Sequence, residues 1–178
     1  MPSPNVRAMS DMDAVNLALL AFRVAVGVVF LAHGINHIFR GGKIKGTAGW
    51  FESLGMKPGI LHAWMASLVE VAAGAMLILG LGLPLAGAGV IGTMAVALVT
   101  NHRKNGFFIF RPGEGYEYVM TLIFCGLALG TIGGGEWGLD WAMFEEDLTG
   151  TTGLLVSALG GLGGAALLLL TFWRPAKK

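Results

Sequence analysis

The chain has 178 residues, of which 54% are hydrophobic and 13% charged, and its formal net charge is +1. A soluble domain carries roughly a quarter charged residues, so this composition excludes an ordinary soluble protein. The one cysteine, Cys125, lies in an apolar run, which excludes an intramolecular disulfide and a CxxC thiol relay. We therefore expect the chain to work in a lipid bilayer and not on nucleic acid.

A polar tail over residues 1–13 comes first, and the apolar run after it is too long for the hydrophobic part of a signal peptide. Further apolar runs follow, and each approaches or exceeds the length that crosses a hydrocarbon core of about 30 Å. The five runs are Ala14–Ile38, Ile60–Gly80, Leu83–Thr100, Glu117–Ile132 and Thr152–Trp173. The predicted fold is an all-α integral membrane bundle of five transmembrane helices.

The basic residues fall on alternate connections between these runs. Ten of the 12 Lys and Arg residues lie in the first connection, the third connection and the C-terminal tail, whereas the opposite side holds only Arg7. Loops rich in Lys and Arg stay in the cytoplasm. The pattern predicts a multi-pass protein of the cell (inner or plasma) membrane, with the N-terminus outside and the C-terminus in the cytoplasm.

Two connections contain short aromatic segments at helical spacing, which usually anchor a protein at headgroup level. They are Trp50, Phe51 and Leu54 in the first connection, and Trp141, Phe144 and Leu148 in the fourth. Two GxxxG pairs, Gly126 with Gly130 and Gly160 with Gly164, predict close helix contacts, either within the chain or in a homo-oligomer.

Two ionisable residues lie in the middle of predicted spans. Arg23 is in the first span and Glu70 is in the second. A charge near the bilayer centre costs at least about 2.5–3.5 kcal/mol on insertion scales, so it normally has a partner. Since the two helices run antiparallel, we predict an intramembrane Arg23–Glu70 ion pair, which either fixes helix register or serves a ligand.

A second group of polar side chains is predicted at the cytoplasmic ends of the helices, near Phe107, Phe108 and Phe110. Two of its histidines are four residues apart and share one face of the first helix. Such groups could hold a metal, but they more often cap helices at the headgroups, and we predict no metal site. A quinone headgroup needs an apolar slot with hydrogen-bond donors and a titratable group nearby. The predicted quinone-type pocket consists of His33, His37, His102, Glu117 and Tyr118.

Several segments in order resemble the DoxX family of membrane proteins. The first helix resembles the family in Phe22-Arg23, Gly27, Phe30-Leu31 and His33-Gly34, and the second in the segments 68–74 and 77–81. Gly113–Glu117 and Gly138–Asp140 also match, so the resemblance covers about residues 17–141. It implies a four-helix DoxX-like domain over residues 14–141. Residues 142–178 depart from the family pattern, since they add an outer interfacial segment and the fifth helix.

The family implies a role in redox systems. DoxX and DoxD proteins are membrane subunits associated with oxidoreductases. DoxD is similar to a component of thiosulfate:quinone oxidoreduction, and some actinobacterial members are associated with redox-defence complexes. No flavin, nicotinamide or iron–sulfur motif is present, so we expect a subunit and not a self-contained enzyme. The leading hypothesis is a quinone-interacting subunit that binds menaquinone or ubiquinone non-covalently. The alternative is a non-catalytic anchor for other proteins of a membrane complex.

Overall fold

The computed structural model describes residues 9–145 and 149–175, and these residues form a helical bundle. The helices are α1 (Asp11–Phe39), α2 (Lys43–Ser53), α3 (Gly59–Leu79), α4 (Leu83–Ala97), α5 (Glu117–Ile132), α6 (Leu139–Phe144) and α7 (Gly150–Phe172). A π-helical turn, Leu98–His102, extends α4. No strand occurs among the described residues, which confirms the all-α fold.

Four helical segments are long and apolar enough to cross a membrane: α1, α3, α4 with its π turn, and α7. The fourth predicted span, α5, is an apolar helix of only 16 residues. Helix α7 packs along α4 and α5, so it belongs to the same bundle as the helices before it.

The predicted tail residue Arg7 and the predicted interfacial residue Leu148 lie outside the described residues.

Residues at the helix ends explain where several of the helices begin and stop. Ser10 caps α1, since its hydroxyl oxygen accepts a hydrogen bond from the Asp13 amide at 3.1 Å. Gly80 follows the last residue of α3, and its backbone is in the left-handed conformation that often terminates helices. Pro84 lies in the first turn of α4. The predicted tight hairpin between α3 and α4 is therefore present, and the Asp140 carboxylate accepts from the Gly82 amide at 2.7 Å.

The two short helices lie at opposite ends of the bundle. We call the end with Arg40, Lys43, Lys57, Arg103 and Arg174 the basic end, and the end with Glu136, Asp140 and Glu145 the acidic end. At the basic end, α2 buries Phe51 against α3 and α7 but leaves Trp50 largely exposed. At the acidic end, α6 exposes Trp141 and Phe144.

Small residues allow the long helices to approach closely. A Cβ atom on Gly126 would lie 2.9 Å from Val90, and one on Gly130 would overlap Ser157. The first GxxxG pair therefore packs inside the chain, against α4 and α7. On α7 the packing face includes Ser157 and Gly161, whereas a Cβ on Gly164 would meet no described atom within 4 Å beyond its own stretch of helix.

The crossing of α1 and α3 provides a direct test of this packing. A Cβ on Gly74 would lie 2.6 Å from the Leu31 amide nitrogen and 2.7 Å from the Gly27 carbonyl oxygen, and backbone atoms cannot move aside. We expect Gly74→Ala to destabilise the protein by about 2 kcal/mol, as overpacking does elsewhere. Thermal unfolding in detergent measures this, with Gly163→Ala as the control, since a Cβ on Gly163 would meet no described atom within 4 Å beyond its own stretch of helix. Equal melting temperatures for the two variants would contradict the close crossing.

Candidate functional site

A small cavity lies between four helices, in the half of the bundle nearer the basic end. Its volume is about 20 Å³, which is enough for one water molecule. Three of its lining side chains are polar and come from α1, α3 and α5. The lining residues are Val29, Phe30, His33, Glu70, Met94, Tyr118 and Leu122.

Glu70 is the buried charge of this cavity, with 4% of its surface exposed. Its carboxylate oxygen Oε2 lies 3.1 Å from Nδ1 of His37, at ion-pair distance. Side chains lean toward the N-terminus of their own helix, so in antiparallel α1 and α3 the side chains of His37 and Glu70 lean toward each other. The close approach of Gly34 to the Ser67 carbonyl oxygen brings the two helices near enough for this contact.

One ring nitrogen of His33 contacts the backbone of its own helix, which leaves the other ring nitrogen available to a ligand. Its Nδ1 lies 2.8 Å from the Val29 carbonyl oxygen, four residues earlier. A carbonyl oxygen can only accept, so Nδ1 carries the hydrogen and Nε2 of the neutral ring keeps a lone pair. His33 can therefore accept a proton or hydrogen bond from a group in the cavity.

The exposed lining residues of the cavity, His33 and Tyr118, belong to α1 and α5, and we call the opening between these two helices the slit. These two helices contact each other little, whereas α1 packs closely on α3, and α5 packs closely on α4. Tyr118 of α5 lies at this slit and is 39% exposed, and His33 of α1 is also exposed. In a bundle surrounded by lipid, a group could therefore reach the cavity sideways.

Two of the five residues predicted for the pocket lie elsewhere. His102 Nδ1 lies 2.9 Å from the Glu114 carbonyl oxygen, and the Glu117 carboxylate accepts from the Ile109 amide at 2.8 Å. Both side chains thus hold the connection between α4 and α5 in shape. Of the predicted residues, His33 and Tyr118 line the cavity, and His37 contacts Glu70, which also lines it. The predicted aromatic neighbours lie outside the cavity lining: Phe107, Phe108 and Phe110.

Arg23 and Glu70 have partners other than the predicted ones. The Arg23 guanidinium donates to the carbonyl oxygens of Leu77 and Ile78, at the C-terminal end of α3, and of Trp137 before α6. Leu77 is seven residues from Glu70, which is about 10 Å along the helix. The predicted Arg23–Glu70 ion pair is therefore absent: Arg23 bonds near the acidic end of α3, whereas Glu70 contacts His37 nearer the basic end.

His62 is a buried histidine that does not belong to the cavity. It is 2% exposed and lies between the rings of Phe51 and Phe172, at centroid distances of 6.2 Å and 5.1 Å. Throughout residues 9–145 and 149–175, no group of three or more His, Cys, Asp and Glu side chains is arranged to hold a metal ion.

Comparison with known proteins finds one family match, and the matched residues include most of this site. The family model named DoxX matches residues 18–103, which extend from the second turn of α1 to the end of the π turn after α4 and include Arg23, His33, His37 and Glu70. Tyr118 of α5 and all of α7 lie beyond the matched residues. No curated protein and no solved structure matches the chain significantly.

Proposed function

This chain is a DoxX family membrane protein, and from the chemistry of its cavity we propose that it is a membrane subunit of an oxidoreductase system that binds a quinone headgroup. The observation that carries the proposal is a buried carboxylate, an imidazole and a phenol around one cavity beside a slit between apolar helices. Quinones travel in the bilayer, so a site that opens sideways to lipid suits them.

The size of the cavity limits how a headgroup can bind. About 20 Å³ accepts a single oxygen atom and not a six-membered ring. One carbonyl oxygen of the headgroup therefore enters the cavity, while the ring lies in the slit beside Val29 and Leu122. The Tyr118 hydroxyl is a donor for that oxygen, and His33 Nε2 is an acceptor for a hydroquinone hydroxyl.

A bound menaquinone or ubiquinone would supply a two-electron, two-proton redox couple. The residues of the chain bind and orient the headgroup and hold protons near it: Glu70 lies between the cavity and His37, and the His37 side chain is 21% exposed. The sequence contains no motif for a second redox group, so electrons pass to or from other protein subunits. We therefore place this chain in a complex.

Quinone retention tests the proposal. Protein purified in mild detergent is extracted with organic solvent, and the quinones are measured by mass spectrometry per mole of protein. We expect retention that falls at least three-fold in Tyr118→Phe, because this variant loses one hydroxyl donor and keeps the ring.

Tyr116→Phe is the matched control, since Tyr116 packs against Phe107 and does not line the cavity. It should retain quinone as the parent chain does. No quinone in the parent protein, or equal retention in both variants, would contradict the proposal. That result would favour the alternative function, a non-catalytic anchor for a partner enzyme.

A further inference from the structure

The connection between α4 and α5 exposes an unusual run of apolar side chains. Residues 107–110 are three phenylalanines and one isoleucine in sequence, and their exposed fractions are 41%, 46%, 39% and 78%. The rings of Phe108 and Phe110 stack at 5.1 Å between centroids. A patch of this kind at the end of a bundle is normally covered, either by lipid or by another protein.

Many backbone N–H and C=O groups of the same connection form hydrogen bonds within it. Backbone hydrogen bonds of 2.8–3.1 Å close it on itself, and they run from Arg111 to Phe108, Glu114 to Arg111, Gly115 to Phe108, Tyr116 to Gly106 and Glu117 to Phe107. The Glu117 carboxylate takes the Ile109 amide, and the Asn105 side chain donates to three carbonyl oxygens. Irregular backbone at membrane depth requires this kind of internal pairing.

The length of α5 indicates how deep the connection lies. With 16 residues, α5 spans about 24 Å, whereas the hydrocarbon core is about 30 Å thick. The tip of the connection folds back beside the first residues of α5, where the Glu117 amide bonds to the Phe107 carbonyl oxygen at 2.9 Å. The connection can therefore complete the crossing that α5 leaves short by about 6 Å.

The charges beside this patch favour lipid as its cover. Arg103, Lys104 and Arg111 flank the apolar run and are exposed at the basic end. Basic side chains next to exposed aromatic rings suit a leaflet that carries anionic lipids, where the cations lie at the phosphate level and the rings lie among the acyl chains. A protein partner that covered a purely apolar patch would not need this cationic border.

We propose that residues 105–116 form a re-entrant loop embedded in the leaflet at the basic end, with Phe107–Phe110 among the acyl chains and Arg103, Lys104 and Arg111 on anionic lipid headgroups. The loop is thus a lipid-binding surface of the chain. It stands independently of the quinone site, because none of these residues lines the cavity.

Spin-label accessibility tests the depth of the loop. In a Cys125→Ala background, which removes the single native thiol, nitroxides are attached at Phe110→Cys and separately at Ile109→Cys in lipid nanodiscs. Leu170→Cys, 78% exposed on apolar α7, is the lipid control, and Lys45→Cys on α2 is the aqueous control. We expect both loop labels to collide more with oxygen than with a water-soluble nickel chelate, as at position 170. Loop labels that behave like position 45 would overturn the proposal and leave the patch to a protein partner.

Lipid charge tests the headgroup contacts. The melting temperature of the parent chain in phosphatidylcholine nanodiscs should rise when 30% phosphatidylglycerol is added, and Lys104→Gln with Arg111→Gln should remove at least half of that rise. The same double substitution at Lys43 and Lys45 on α2 controls for net charge. An equal rise in both variants, or none in the parent chain, would overturn the proposed headgroup contacts.

Discussion

Replacement of Arg23 by methionine should lower the free energy of unfolding by about 3 kcal/mol. Arg23 is 2% exposed and donates to three carbonyl oxygens that join α1 to the end of α3 and to the segment before α6. Hydrogen bonds from a charged donor contribute about 1.5–3 kcal/mol each, and removal of a buried charge offsets part of that loss. Chemical or thermal unfolding in detergent measures the difference.

Arg40→Met is the matched control, since Arg40 is exposed just beyond α1. It should change stability by less than about 0.5 kcal/mol, as surface substitutions usually do. An equal loss in both variants would mean that the carbonyl contacts of Arg23 add nothing to stability.

The same variant separates the observed contacts from the ion pair expected from sequence. Arg23 bonds about 10 Å along α3 from Glu70, so the effects of Arg23→Met and Glu70→Leu should add to within about 0.5 kcal/mol. Direct pairing would instead make the double variant more stable than the sum of the single variants predicts. A coupling above about 1 kcal/mol would contradict the separate contacts in the structure.

The sequence predicted the spans well because lipid imposes a simple rule on length and hydropathy. The long apolar runs became α1, α3, α4 and α7, and the glycine and proline signals placed the α3–α4 hairpin. The shortness of α5 was visible, but the folded-back shape of the connection before it was not, because that shape depends on hydrogen bonds such as the one from the Ile109 amide to the Glu117 carboxylate.

The Arg23–Glu70 prediction compared only the depths of the two residues along antiparallel helices. It left out the lean of each side chain toward the N-terminus of its own helix. That lean moves Arg23 toward the acidic end and Glu70 toward the basic end, so the two groups diverge. The same rule would have pointed from Glu70 to His37.

The cavity was only partly predictable for a related reason. Topology places His33, His102 and Glu117 near the same end of the bundle, but it does not say which side of each helix faces the centre. His102, in the π turn at the end of α4, contacts the Glu114 carbonyl oxygen and does not line the cavity. Glu70 had the clearest signal, since a carboxylate in the middle of a span is costly without a role.

Glu70→Gln should have the largest effect on quinone binding, a loss of roughly ten-fold in affinity. The amide keeps the volume of the carboxylate but cannot take up a proton, and it loses the charge that faces His37 at 3.1 Å. Glu70 lines the cavity that takes up the headgroup oxygen. Loss of a hydrogen bond to a charged group at that oxygen costs about 1.5–3 kcal/mol, and 1.4 kcal/mol corresponds to a factor of ten in affinity. Titration of purified protein with a short-chain quinone, followed by the shift in melting temperature, measures the affinity directly.

Glu114→Gln is the matched control, because Glu114 is exposed and its side chain does not line the cavity. It should bind the quinone as the parent chain does. The melting temperature without quinone separates binding from folding: Glu70→Gln should stay folded, since an isosteric amide leaves the packing of α1 on α3 unchanged. A folded Glu70→Gln protein that binds quinone with the affinity of the parent chain would contradict the role of this carboxylate. Glu70 would then serve only to hold α1 and α3 together through His37.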